Sequence, residues 1–339
     1  MIFMIPQFNR PFTVAITRTD NIGDVVTTLP MCGIIKQHYP QARILFIGRE
    51  YTKDIITACS DVDEFLDVQS LYKDSKTAVK ILKDAAIDVI IIVFPNKKIA
   101  KLAFKARIPY RVGTSHRIYN VLYCNKNVGF SRKNMPLNEA QLNIFLLKQF
   151  KDCFRHYTMD ELSDYVRLSK PENTEINQQL YKTKFNLIIH PKSNGHGREW
   201  PVEYFRQLTE LLDERVKIFV CGTQKEALGV DIKGDNVVSM FGKMSLKEYI
   251  SFIAHSDALL ASGTGPLHVA GILNVHAIGL FPPMQGIDPQ RWHPLGKNVK
   301  VFCHDKTGCK DCKKGNRCTC MDKITPQEVA SYINSLITK

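Results

Sequence analysis

Residues 257–281 read DALLASGTGPLHVAGILNVHAIGLF, and this stretch decides the fold. Two short apolar runs, Ala258–Ala261 and Val275–Leu280, flank a loop of small residues leading into a helix opened near Pro266. A strand, a glycine-rich turn and a proline-started helix place backbone N–H groups where an anion can sit. Ser262, Gly263, Thr264 and Gly265 add little bulk and two hydroxyls. The expectation is a seat for the diphosphate of a nucleotide-linked substrate, although such turns also join strands to helices for architectural reasons alone.

Working outward, strands and helices alternate on both sides. Phe185–His190, Val216–Cys221 and Val237–Met240 read as strands, with helices from Pro201 to about Asp213 and over Leu246–His255. The first half shows the same pattern. Strands are expected at 12–17, 43–47, 64–68, 87–94 and 109–112, with helices at 51–59, 75–84 and 97–105. A further helix should start near Gly23-Asp24 and end before Pro40, with Pro30 marking a kink or an early first turn. Residues 113–135 show no clear period, and a helix over about 137–150 follows. This alternation predicts parallel sheets covered on both faces. Its restart after residue 180 predicts two α/β domains, over 1–175 and 176–324, with the cleft between them as the default ligand site. A closing helix, Thr325–Ile337, has Pro326 in its first turn.

Composition bounds the rest. With 339 residues, 44% hydrophobic and 23% charged, the chain reads as globular, and no apolar run approaches the roughly 18 residues that span a bilayer. The start, MIFMIPQFNRPF, lacks the basic region and small-residue cleavage site of a signal peptide, which makes a cytoplasmic location the expectation. The net charge is +13, and Pro95–Met135 holds ten Lys or Arg and no acid. Such a surface attracts phosphates on nucleic acid, lipid headgroups or glycans, or is simply a solvated face. Of ten cysteines, Cys32, Cys59, Cys124, Cys153 and Cys221 are scattered and read as small core residues. Cys303, Cys309, Cys312, Cys318 and Cys320 crowd the C-terminal end beside His304, where a structural zinc site and reduced thiols both fit.

Three polar loops carry candidate chemistry. After the first strand come Arg18, Asp20, Asn21, Gly23 and Asp24. An acid just after glycine at a helix mouth is a cap, or a general base aimed out of the C-terminal edge of the sheet. In HPKSNGHGREWP, Lys192, Ser193 and Arg198 lie in a glycine-containing loop suited to clamping a diphosphate. His268 follows the opening turn, and LFPPMQGIDPQRWHPLG offers Arg291 for a substrate contact.

RTDNIGDVVTTLP, HPKSNGHGREWP, SGTGPLHVAGIL and LFPPMQGIDPQRWHPLG stand in the order of the ADP-heptose:lipopolysaccharide heptosyltransferase family, glycosyltransferase family 9, and the chain resembles that family over most of its length. The resemblance implies a GT-B type fold, two Rossmann-like domains facing across a cleft, the N-terminal one for acceptor and the C-terminal one for nucleotide sugar. It implies that the last helix returns to the N-terminal domain. It further implies inverting, metal-independent transfer from ADP-heptose to a phosphorylated lipopolysaccharide core or lipid A precursor, at the inner face of the inner membrane, with no cofactor and no nucleic acid. Carried onto this chain, Asp24 matches the base. Arg198 stands where members commonly have a donor-phosphate lysine. Thr264 and Gly265 match the phosphate turn, with His268 after it; Lys192, Ser193, Ser262, Gly263 and Pro266 complete the expected donor set. Arg18, Asp20, Asn21, Gly23, Arg117 and Arg291 are expected at the acceptor or substrate. Gly263 departs from the pattern, because several members carry an acid there that touches the donor, so a different nucleotide sugar is an alternative. A nucleotide-sugar epimerase shares the architecture, and a nucleic-acid-binding protein with a zinc site is the reading from another class.

Overall fold

Phe12–Thr17 carries no charge and nothing larger than threonine that is polar, and in the computed structural model all six of its residues are buried in the middle of a parallel sheet. The structure describes residues 4–170, 175–193, 195, 197–304 and 319–337. They form two units, divided between Ser169 and Lys170, a few residues before the expected boundary.

In the first unit the described strands are β1 (Phe12–Thr17), β2 (Ala42–Gly48), β3 (Glu64–Asp67), β4 (Val89–Ile92), β5 (Tyr110–Thr114) and β6 (Lys126–Val128). They order as β3-β2-β1-β4-β5-β6, all parallel. Thr17 pairs with both Ile47 and Ile92, so the loops after β1, β2 and β4 leave at one edge. The chain reverses its direction of travel across the sheet between β1 and β4, the place where such sheets open a crevice. Of the two readings at Pro30, the first turn is the one found, and it opens a separate helix. Ile22–Val26 and Pro30–His38 are separate, with Pro30 in the first turn of the second. The unassigned 113–135 region holds the helix Ile118–Tyr123 and β6.

The second unit repeats the plan with β7 (Phe185–His190), β8 (Val216–Val220), β9 (Val237–Ser239), β10 (Ala258–Ser262), β11 (His276–Leu280) and β12 (Val299–Phe302), ordered β12-β11-β10-β7-β8-β9. Its reversal falls between β10 and β7, where Ala261 pairs with His190 and Ser262 with Leu280. The two loops read from sequence as donor loops therefore leave side by side.

One expectation is corrected. The closing helix, Pro326–Ile337, does not reserve its apolar face for the first unit. Val329, Ala330 and Ile333 lie in the second unit's core with Trp200, Phe205 and Leu208. Polar contacts fix it there as well. The Trp200 indole donates to the Ile324 carbonyl at 2.9 Å, and Asn334 accepts from the Asp213 N–H at 3.0 Å and donates to the Leu211 carbonyl at 3.1 Å.

The five scattered cysteines are buried, as small core residues should be. Cys309, Cys312 and Cys318 lie outside the described residues. Cys303 and Cys320 belong to the second unit, and the ring of His304 lies 2.8 Å from a Glu328 oxygen.

Candidate active site

The first unit's site is built on a buried cation. Arg18, 2% exposed, leaves β1 at the sheet edge and meets three carboxylates: Asp20 at 2.9 Å, Glu139 at 3.0 Å, and Asp24 through its other terminal nitrogen. Burial works against the Arg18 charge, but Glu139, Asp24 and Asp20 outweigh it and raise its pKa. Glu139 in turn accepts from Arg132 at 3.0 Å, while Arg132 also donates to the Val93 carbonyl and to Asn143, both at 2.8 Å. Both guanidiniums lie over the Phe94 ring, at 5.2 and 5.7 Å from its centroid.

Asp24 does cap its helix, since its second oxygen accepts the Asn21 N–H at 3.1 Å. Capping and the Arg18 contact fix the carboxylate's direction while 14% of its side chain stays open. Asp20 is more open, at 31%, and burial pushes its carboxyl above the ordinary value, Arg18 offsetting this in part. Asp20, Thr19, Arg49, Gln69, Tyr72 and Asn96 border an open cleft of about 360 Å³ at the chain reversal. Arg117 does not border that cleft. It lies exposed beyond β5, ahead of the helix Ile118–Tyr123.

In the second unit the turn after β10 enters the eight-residue helix Gly265–Ile272, with Pro266 in its first turn. Ser262 and Thr264 are buried, and their hydroxyl oxygens have no hydrogen-bond partner among the described residues. An unsatisfied buried hydroxyl is costly, and two at a helix N-terminus mark a place shaped for an acceptor group such as a phosphate oxygen. Gly197 of the neighbouring loop lies against this turn: a Cβ there would stand 3.2 Å from the Gly263 carbonyl oxygen. In that loop Glu199 ties Lys192 at 3.1 Å and accepts the Ser193 N–H at 2.8 Å. Lys192 therefore spends part of its charge on Glu199. Arg198 is half-buried and makes no ion pair among the described residues.

His268 is buried, its ring 6.0 Å from that of Trp292 in an edge contact. Arg291 stands on the single turn Pro289–Trp292, capped by Asp288. The departure at Gly263 has a steric basis. A Cβ at Gly263 would stand 2.6 Å from Phe281, and one at Gly279 equally 2.6 Å from the other edge of the same ring. Phe281 fills the space that an acidic side chain would need.

Sequence reading missed Glu139, Arg132, Arg49, Glu199 and Phe281. Glu199 and Phe281 stand inside the quoted loops and Arg132 in the basic stretch, but nothing in their spacing gave them a role; Glu139 follows the helix cap Asn138.

Two doubly wound units, one with carboxylates and the other with a glycine turn and two unpartnered hydroxyls at its chain reversal, are the parts of a GT-B glycosyltransferase. The chain belongs to glycosyltransferase family 9 (heptosyltransferase), whose sequence profile matches residues 77–321. It is 24% identical to a Haemophilus influenzae protein named no more finely than a glycosyltransferase, over 86% of this chain and 88% of that one. To the lipopolysaccharide core heptosyltransferase OpsX of the same organism it is 22% identical, over 88% and 87%. The Escherichia coli ADP-heptose lipopolysaccharide heptosyltransferase II structure superposes with a TM-score of 0.76 at 19% identity, over 96% and 98% of the two chains. None of the described helices is long and apolar enough to cross a membrane.

Proposed function

We propose that this enzyme transfers heptose from ADP-heptose to the inner core of lipopolysaccharide, at the inner face of the inner membrane and with inversion at the anomeric carbon. The observation that carries the reading is the turn 262–266, with two buried hydroxyls awaiting partners at a helix N-terminus. The named heptosyltransferase relatives supply the sugar.

In this reading Asp24 takes the proton of the acceptor hydroxyl as its oxygen bonds to the anomeric carbon. The bond from that carbon to the diphosphate breaks, and the charge left on the diphosphate meets the turn's N–H groups, its hydroxyls, Arg198 and part of Lys192. The Arg18–Glu139–Arg132 chain keeps Asp24 aimed, and Arg49 offers a cation to an acceptor phosphate in the cleft. Asp24→Asn should leave donor binding nearly intact and remove most turnover. Survival of turnover within about threefold excludes Asp24 as base and passes the role to Asp20, to be tested as Asp20→Asn.

The Phe281 ring beside Gly263 favours a second reading, transfer from another nucleotide sugar. A panel of nucleotide sugars, scored by product mass, separates the two. Isomerised donor in the absence of acceptor would instead point to an epimerase.

A further inference from the structure

We infer that the helix Ile118–Tyr123 and its neighbour Lys97–Lys105 form a membrane-attachment patch that takes an anionic lipid surface. The helix Ile118–Tyr123 is inside out. Asn120, its polar member, is fully buried and donates to the Thr114 carbonyl at 2.9 Å. Ile118, Val121 and Leu122, spaced to share the opposite side, are 83%, 59% and 64% exposed. Three aliphatic side chains on one short helix thus stay mostly in water among the described residues, although a core position would stabilise each of them. The apolar surface continues across the helix pair. Phe104, itself exposed, lies 5.7 Å from the Tyr123 ring, and the Arg111 guanidinium sits over Phe104 and donates to the Tyr123 carbonyl at 2.7 Å.

The charge around the patch selects the occupant. Lys101, Lys105, Arg107 and Arg117 are exposed on or beside these two helices, within the segment Pro95–Met135 that contains no acid. The next helix, Ser75–Asp84, packed against Lys97–Lys105, presents Lys76, Lys80 and Lys83 against Asp74 and Asp84, so it keeps the balance positive. Apolar side chains ringed by lysine and arginine match a bilayer interface, where the chains enter the acyl boundary and the cations meet lipid phosphates. A second copy docking on this face would bring two cationic rings together, which disfavours self-association. The inference does not depend on which sugar is transferred.

The test is co-sedimentation with vesicles of phosphatidylethanolamine and phosphatidylglycerol, with phosphatidylcholine vesicles as control. The wild-type chain should bind the anionic vesicles and release at high salt. Ile118→Ser with Leu122→Ser should weaken binding about tenfold or more, with the melting temperature held within about 2 °C. Lys101→Glu with Lys105→Glu should abolish the preference for anionic lipid. Equal binding by the serine variant, or no vesicle binding by the wild type, overturns the proposal. So does a wild-type dimer that the serine variant splits, because the patch would then be an interface between copies.

Discussion

At the scale of single residues, the site rests on close packing and shared charge that have no local signature. Phe281 lies between Gly263 and Gly279, so Gly263→Ala should cost about 1–3 kcal/mol by overpacking. Adding Phe281→Leu should return part of that, and the coupling is read from urea midpoints of the two single variants and the double. Equal losses in both backgrounds would show that the ring is not what excludes a side chain there. Glu139 serves Arg18 and Arg132 together, each at 3.0 Å, and Glu139→Gln leaves the buried Arg18 and the partly buried Arg132 short of a carboxylate. Denaturant unfolding should register a loss of about 3 kcal/mol; a loss under about 0.5 kcal/mol would make the network dispensable for stability. Gly263 was noticed in the sequence as a departure, yet its reason lay in a ring contributed by another strand's end. Glu139 stands 121 positions from its Arg18 partner, a separation that no periodicity spans.

At the scale of elements, the reading from sequence was strongest where burial is two-sided or a cap is explicit. Phe185–His190, Ser75–Asp84, Lys97–Lys105 and Leu246–His255 fall where their apolar patterns put them. The helix Ile118–Tyr123 escaped because its exposed residues are apolar and its buried one is polar, which reverses the pattern being sought. The closing helix was recognised as an element but assigned to the wrong partner. A stripe such as Val329, Ala330 and Ile333 says that a helix face is buried and not against what. Deleting residues 326–339 should strip that stripe from the second core and expose Trp200, which is now 1% accessible. A red shift and broadened unfolding of the tryptophan signal would be expected; native emission and an unchanged midpoint would contradict the packing.

At the scale of the whole molecule, two sheets of the same winding repeat one design, and the restart of alternation after residue 180 made that repetition legible. How the pattern is tied to acidity was not legible. His190, at the end of β7, is buried beside the Tyr249 hydroxyl at 3.2 Å, and burial lowers its pKa below the ordinary 6.5 despite Glu226 and Glu199. Below pH 6.5 the unfolded chain takes up a proton that the folded chain refuses. This part of the stability is therefore complete above that pH and is lost on acidification towards the folded-state value. Urea midpoints should fall between pH 7.5 and pH 5.5, and His190→Gln should flatten the fall; an identical slope in the variant would assign it to other groups.

The place of the last helix also sets a timetable for synthesis. The first unit holds all its strands before residue 170 and can complete its core while the ribosome is still translating the rest. The second unit's core stays open longer, because Val329, Ala330 and Ile333 are made after every described strand of that unit and close the core around Trp200. The part of that core which they cover must wait until the helix Pro326–Ile337 has emerged. Of the two halves, it is the second that needs shelter from aggregation at birth.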